Sequence, residues 1–209
     1  MIAMTDRAIH LILFDGYADW ESANALAELR RWGKRRVRTV GFTSAPVLSM
    51  GGLRVVPDVE LERVRPDDVE LLILPGGDLW ESGSYPHEGL ASLLRTLVGS
   101  GTPVAAICAG TLVLARSGLL DTRRHTSNSR DYLTSHGGAY RGVAHYEELP
   151  AVRDGHVITA SGLAPVDFAR AIFTELGVFS TEDEALWFEM FKHGRIPDTL
   201  RDRDQSFRA

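Results

Sequence analysis

The chain has 209 residues, 44% hydrophobic and 24% charged, with a formal net charge of -5 and one cysteine. That length buries a sizeable core without structural metals, and one sulfur allows no internal disulfide, so a reducing cytoplasm is the expected compartment. The acidic balance speaks against a nucleic-acid surface, and no apolar stretch suggests a secretion leader or a membrane span.

Residues 8–14 are an apolar run of strand length, ended by Asp15-Gly16. Helical periodicity follows over 20–32, with Ala25, Leu26, Leu29 and Trp32 as the predicted buried stripe. Six cations, Arg30, Arg31, Lys34, Arg35, Arg36 and Arg38, stand close together. We read them as a helix C-terminus, where cations complement the dipole, running into a solvated strand start rather than as an anion site. Residues 37–41 read as a second strand, and Ser49-Met50-Gly51-Gly52-Leu53 as a hairpin turn between short strands. Residues 70–74 form a third apolar strand, ended by Pro75-Gly76-Gly77.

Residues 90–98 read as a helix, after which Gly101-Thr102-Pro103 restarts the chain into a buried strand ending at Cys108. Asp154-Gly155, between apolar flanks over 151–160, is a hairpin signal. Residues 165–176 are helical, with Pro165 in the first turn and Gly177 just past the end. Thr181-Glu182-Asp183-Glu184 resembles a capping box opening a last helix over 181–193. Its stripe, Leu186, Trp187, Met190 and Phe191, is expected to cover a core edge in preference to a partner subunit. The charged tail over 197–209 reads as loose, and the whole of 1–209 as one domain with its core over 8–178.

Apolar strands alternating with helices predict an α/β fold: a doubly wound, mostly parallel sheet with helices on both faces. Asp15-Gly16, Gly76-Gly77 and Cys108 each follow a strand's C-terminal end, and in such a sheet those ends share the edge where ligands bind.

In Pro103-Val104-Ala105-Ala106-Ile107-Cys108-Ala109-Gly110-Thr111-Leu112 the strand breaks into a helix at the sulfur. Small residues on both sides allow a sharp turn that exposes the side chain, like the nucleophile elbow of serine hydrolases. A free cysteine in an apolar strand is often a small buried hydrophobe. The elbow points instead to a thiol whose pKa falls below about 8.5 at a helix N-terminus. Glu21 reads either as a solvated first-turn acid or as a carboxyl at the sheet edge hydrogen-bonding Cys108. The glycine pair reads as a turn or, with the Ala109 N–H, as donors for an oxyanion. Asp78 and Trp80 are expected at the mouth of that pocket. Of seven histidines, His125 in Arg124-His125-Thr126-Ser127-Asn128 is the candidate general base, or merely a strand residue. No histidine pairs at zinc-ligand spacing and no nucleotide fingerprint follows a strand, so neither a metal nor a dissociable cofactor is expected.

Ala105-Ala106-Ile107-Cys108-Ala109-Gly110, Leu74-Pro75-Gly76-Gly77 and the run from Asp154 to Gly162 resemble the ThiJ/PfpI superfamily. That superfamily includes the parkinsonism-associated deglycase. Gly16-Tyr17-Ala18-Asp19-Trp20-Glu21 with His125-Thr126-Ser127-Asn128 is similar to its bacterial type 1 glutamine amidotransferase-like branch. The resemblance implies a flavodoxin-like, class I glutamine amidotransferase-like fold, and a homodimer. It also implies Cys108 as nucleophile, Glu21 as its acid, and Gly77 with Ala109 as the oxyanion hole. Where many members carry a histidine, this chain has Asn128, which orients a ligand but relays no proton. Proteolysis and amidotransfer are therefore put in doubt. The expected function is a cysteine-dependent glyoxalase, deglycase or hydratase acting on a small reactive carbonyl. The alternative is a non-enzymatic stress sensor in which Cys108 is oxidised to a sulfinic acid.

Overall fold

The computed structural model describes residues 7–196. The apolar runs become four buried strands, β1 (Ala8–Leu13), β6 (Val69–Leu74), β7 (Val104–Ile107) and β9 (Val157–Ala160). Outside them lie β2 (Val37–Gly41), β5 (Val59–Glu60) and β8 (Ala151–Asp154), in the order β5-β2-β1-β6-β7-β9-β8. All neighbours are parallel except β8 against β9. A separate hairpin joins β3 (Val47–Leu48) to β4 (Arg54–Val55), with the glycine turn between them.

Helices cover both faces. On one side α1 (Asp19–Arg31) packs on α6 (Pro165–Leu176), which in turn carries α7 (Thr181–His193). On the other lie α2 (Leu79–Ser82), α3 (His87–Gly99), α4 (Thr111–Arg116) and α5 (Arg130–His136). The sheet order reverses between β1 and β6, where open α/β sheets hold their ligands beyond the strands' C-terminal ends.

Three sequence expectations need correction. Trp32 is 61% exposed rather than on the α1 stripe; it caps the helix, and Glu21, Ser22, Ala25, Glu28 and Leu29 are the buried residues. The cap of α7 is Ser180, whose hydroxyl accepts from the Asp183 N–H at 3.1 Å, one residue before the predicted box. Of the α7 stripe only Trp187 is buried, edge-on to Phe173 at 4.8 Å, while Phe191 is 46% exposed. Phe188 packs beside Trp187, and the Arg170–Glu184 and Lys192–Asp167 ion pairs join α7 to α6. The tail read as loose lies outside the described residues.

Candidate active site

Cys108 directly follows β7 with φ +56°, a conformation rare outside glycine, and opens a 3-10 turn over Cys108–Gly110 that leads into α4. Strain of this kind persists only when surroundings over-determine it. The Thr111 hydroxyl donates to the Cys108 carbonyl at 2.6 Å and lies 2.7 Å from the Ser127 hydroxyl. Its single proton is thus committed, so Ser127 is the donor in that pair. Cys108 is left half-buried.

Three strands deliver groups to it. Glu21, one turn into α1 after β1, is 1% exposed; it hydrogen-bonds the thiol and accepts the Gly76 N–H at 2.5 Å. Gly76 follows β6, and its lack of a side chain is required by close approach. A β-carbon there would lie 2.9 Å from the Cys108 Cβ and from both Glu21 carboxyl oxygens. Gly162 follows β9, where a β-carbon would stand 2.8 Å from the sulfur.

Asn128 bridges these groups. Its Oδ1 accepts the Gly162 N–H at 2.9 Å, which fixes the amide so that Nδ2 donates to the sulfur at 3.3 Å. The Ala109 N–H also donates to the sulfur. No acceptor among the described residues takes the Gly77 N–H. Replacing Asn128 by Leu removes the sulfur's amide donor and is expected to slow alkylation of Cys108 at pH 8 by roughly tenfold. Intact-mass kinetics with iodoacetamide measure it.

Electrostatics run against the expectation of an acidic thiol. Burial, and next the Glu21 charge, push Cys108 up to about 11; the donors Asn128 and Ala109 pull the other way and lose. The segment after the sulfur is a 3-10 turn leading into a six-residue helix, a weak source of dipole. Burial also raises Glu21 to about 7, against the bond from Gly76. The pair therefore exchanges protons as a unit: it holds two below about 7, and one from there to about 11. In the one-proton form the proton lies on sulfur or on the carboxyl.

His125 does not reach this site. It is fully buried, with Nδ1 at 2.6 Å from the Arg123 carbonyl and Nε2 at 2.6 Å from the Tyr140 hydroxyl. Only a single bridge, to Tyr146, forms where a strand was expected. Trp80 is also absent from the mouth: it is fully buried, Nε1 donating to the Pro75 carbonyl at 2.6 Å, with its ring against Phe14 at 4.6 Å. The ring packs under the Pro75–Gly76 turn, where its area and its N–H are both satisfied. Asp78 is exposed at the start of α2. Among the described residues no group of metal-ligating side chains gathers, and no helix is long and apolar enough to cross a membrane.

Two residues near the sulfur had not been singled out. Gly162 stood inside a quoted motif, and the rule applied to Cys108 would have found it: it follows a strand parallel to β7. Tyr132 on α5 donates to Glu81 at 2.7 Å, and its pKa is raised by burial, by Glu81 and in part by the charge of Cys108.

The chain matches known proteins in sequence and in fold. Residues 7–175 match the model of the DJ-1/PfpI family. The "Uncharacterized protease YoaZ" of Bacillus subtilis is 36% identical over 90% of this chain and 92% of its own. The crystal structure of the DJ-1 superfamily protein Atu0886 from Agrobacterium tumefaciens superposes with a TM-score of 0.82 at 37% identity, covering 90% of this chain and all of that one. The thiJ/pfpI family protein from Bacillus anthracis gives 0.84 at 36% identity, covering 92% of each. Over 62% of this chain and 67% of its own, the "Glutathione-independent glyoxalase DJR-1.2" of Caenorhabditis elegans is 37% identical. A protein with this sheet, this elbow and these matches belongs to the DJ-1/PfpI family.

Proposed function

We propose that the protein is a cysteine-dependent enzyme acting on a small reactive carbonyl compound, in the manner of a glyoxalase, deglycase or hydratase. The observation that carries it is the Cys108–Glu21 contact, a thiol against a carboxyl raised to about 7, with no histidine among the sulfur's partners in the described residues. The name of the nematode relative supports the reading.

In the one-proton form the sulfur attacks an aldehyde carbon as its proton passes to the Glu21 carboxylate. The S–C bond forms, the carbonyl electron pair moves to oxygen, and the N–H groups of Ala109 and Gly77 receive the oxyanion. Glu21 then returns the proton to that oxygen and is free to take another from carbon. A resting thiol is no obstacle, because attack and proton transfer are coupled. Peptide cleavage, the activity in the name of the B. subtilis relative, requires protonation of a leaving amine. Glu21 is the one titratable side chain hydrogen-bonded to Cys108 among the described residues.

Methylglyoxal consumption by wild type and Cys108→Ser tests the proposal. Turnover is expected to rise with pH through about 7, as Glu21 ionises, and to fall by more than about a thousandfold in the variant. Equal turnover in both proteins sinks it.

A further inference from the structure

The cations between α1 and β2 play no part in the site just described. Arg30, Arg35, Arg36, Val37, Arg38 and Asp58 line an open cavity of about 470 Å³. It lies at the N-terminal end of β2, whereas Cys108 follows the C-terminal end of β7 in the same parallel set, so the two occupy opposite edges of the sheet.

A helix C-terminus explains only part of the cluster. Lys34 Nζ donates to the Arg31 carbonyl at 2.7 Å, and Arg31 lies 3.9 Å from Glu28. Arg35 is held by Glu70 at 2.9 Å, and Arg36 has an interaction of its own. Arg30 and Arg38 have no acid partner among the described residues. The one carboxylate in the lining, Asp58, turns Oδ2 to the Thr39 N–H at 2.7 Å and the Thr39 hydroxyl at 2.9 Å. Four guanidinium groups thus share a cavity with one carboxylate that is already engaged.

The wall beneath carries two acids, Glu70, already paired with Arg35, and Asp68, which acts on His10. Arg38 stands opposite His10 of β1, a buried imidazole whose pKa is lowered, first by burial and then in part by Arg38 and Arg36, with Asp68 opposing. β5 pairs with β2 only at Val40 and Gly41, so among the described residues no strand pairs with β2 on that side at Arg38.

We infer that this cavity is a binding site for a phosphoryl-type oxyanion, gripped by the guanidinium forks of Arg30 and Arg38. Planar forks match phosphate oxygens in pairs, which an ammonium cannot do. The ligand class is a phosphorylated small molecule or a phosphomonoester headgroup, and the site works independently of Cys108.

Calorimetric titration with inorganic tripolyphosphate, at ionic strength held constant with chloride, tests it. Saturable binding is expected, with a rise in Tm, because a ligand that binds only the folded state stabilises it. The double variant Arg30→Ala, Arg38→Ala should bind at least roughly tenfold more weakly, and lysine at both positions should restore only part of the loss. Should the double variant fail to fold, Arg30→Ala alone alters an exposed residue and should still weaken binding. Cys108-dependent turnover in each variant should match wild type. Sedimentation with phosphatidylcholine vesicles, with and without phosphatidic acid, separates the two sources: capture only by the acidic vesicles identifies a headgroup, and no capture identifies the soluble ligand. Absence of saturable tripolyphosphate binding, or undiminished binding by the alanine variants, overturns the inference.

Discussion

Glu21→Gln is expected to make the protein more stable and nearly inactive. Glu21 is 1% exposed, and burial raises its carboxyl from an ordinary value of 4.5 to about 7. The sign follows from proton counts. Between those two values the folded chain holds a proton that the unfolded chain has released, so stability falls as pH rises through that window and stays lower above it. The loss is on the order of 3 kcal/mol by pH 8. Glutamine never ionises, still accepts the Gly76 N–H through its carbonyl oxygen, and can donate an amide hydrogen to the sulfur. The variant should therefore melt roughly 5–10 °C above wild type at pH 8 and within a few degrees of it at pH 4.5. It cannot accept the thiol proton, so carbonyl turnover should drop by about a hundredfold or more. A lower Tm at pH 8 would contradict the account of a buried, desolvated carboxyl.

Gly76→Ala has the opposite signature. The added carbon meets the Cys108 Cβ and both Glu21 oxygens at 2.9 Å, closer than such atoms pack; the Cβ is fixed by its backbone, and the carboxyl is buried and tied to the Gly76 N–H. The turn must shift, and Trp80 Nε1, tied to the Pro75 carbonyl, resists. Overpacking of this kind costs about 1–3 kcal/mol. The same shift withdraws the Gly76 N–H from Glu21, which removes the bond opposing its raised pKa. Both Tm and turnover should fall, and the pH at which turnover rises should move upward. An unchanged melt and an unchanged pH profile would show that the glycine is not needed for close approach.

Much of the scaffold was legible because its signals are local. β2 over 37–41 and α6 over 165–176 were read to the residue, the latter because proline and glycine mark its two ends. The delivery of Asp15, Gly76 and Cys108 to one edge was also legible, since parallel strands allow no other placement. Trp32 was misread because periodicity cannot say where a helix stops burying one face. Gly162 was passed over for a related reason. A hairpin signal over 151–160 says that two strands are antiparallel, not that the second runs parallel to β7 and ends beside the sulfur. His125 and the acidity of the thiol depend on packing: a ring tied to Tyr140, and a sulfur whose burial outweighs its donors, leave no mark in spacing. Composition placed Arg30 and Arg38 together but could not show that a cavity lies between them.

At the centre of the account is a shared proton: Cys108 and Glu21 titrate as one unit. The rate of Cys108 alkylation by iodoacetamide, followed by intact mass from pH 5 to the alkaline limit of folding, tests this most directly. Wild type should show a first rise through about 7, then a plateau on which one proton is shared between sulfur and carboxyl, while Glu21→Gln should show one step only. A single step at the ordinary thiol value of about 8.5 in both proteins would contradict it.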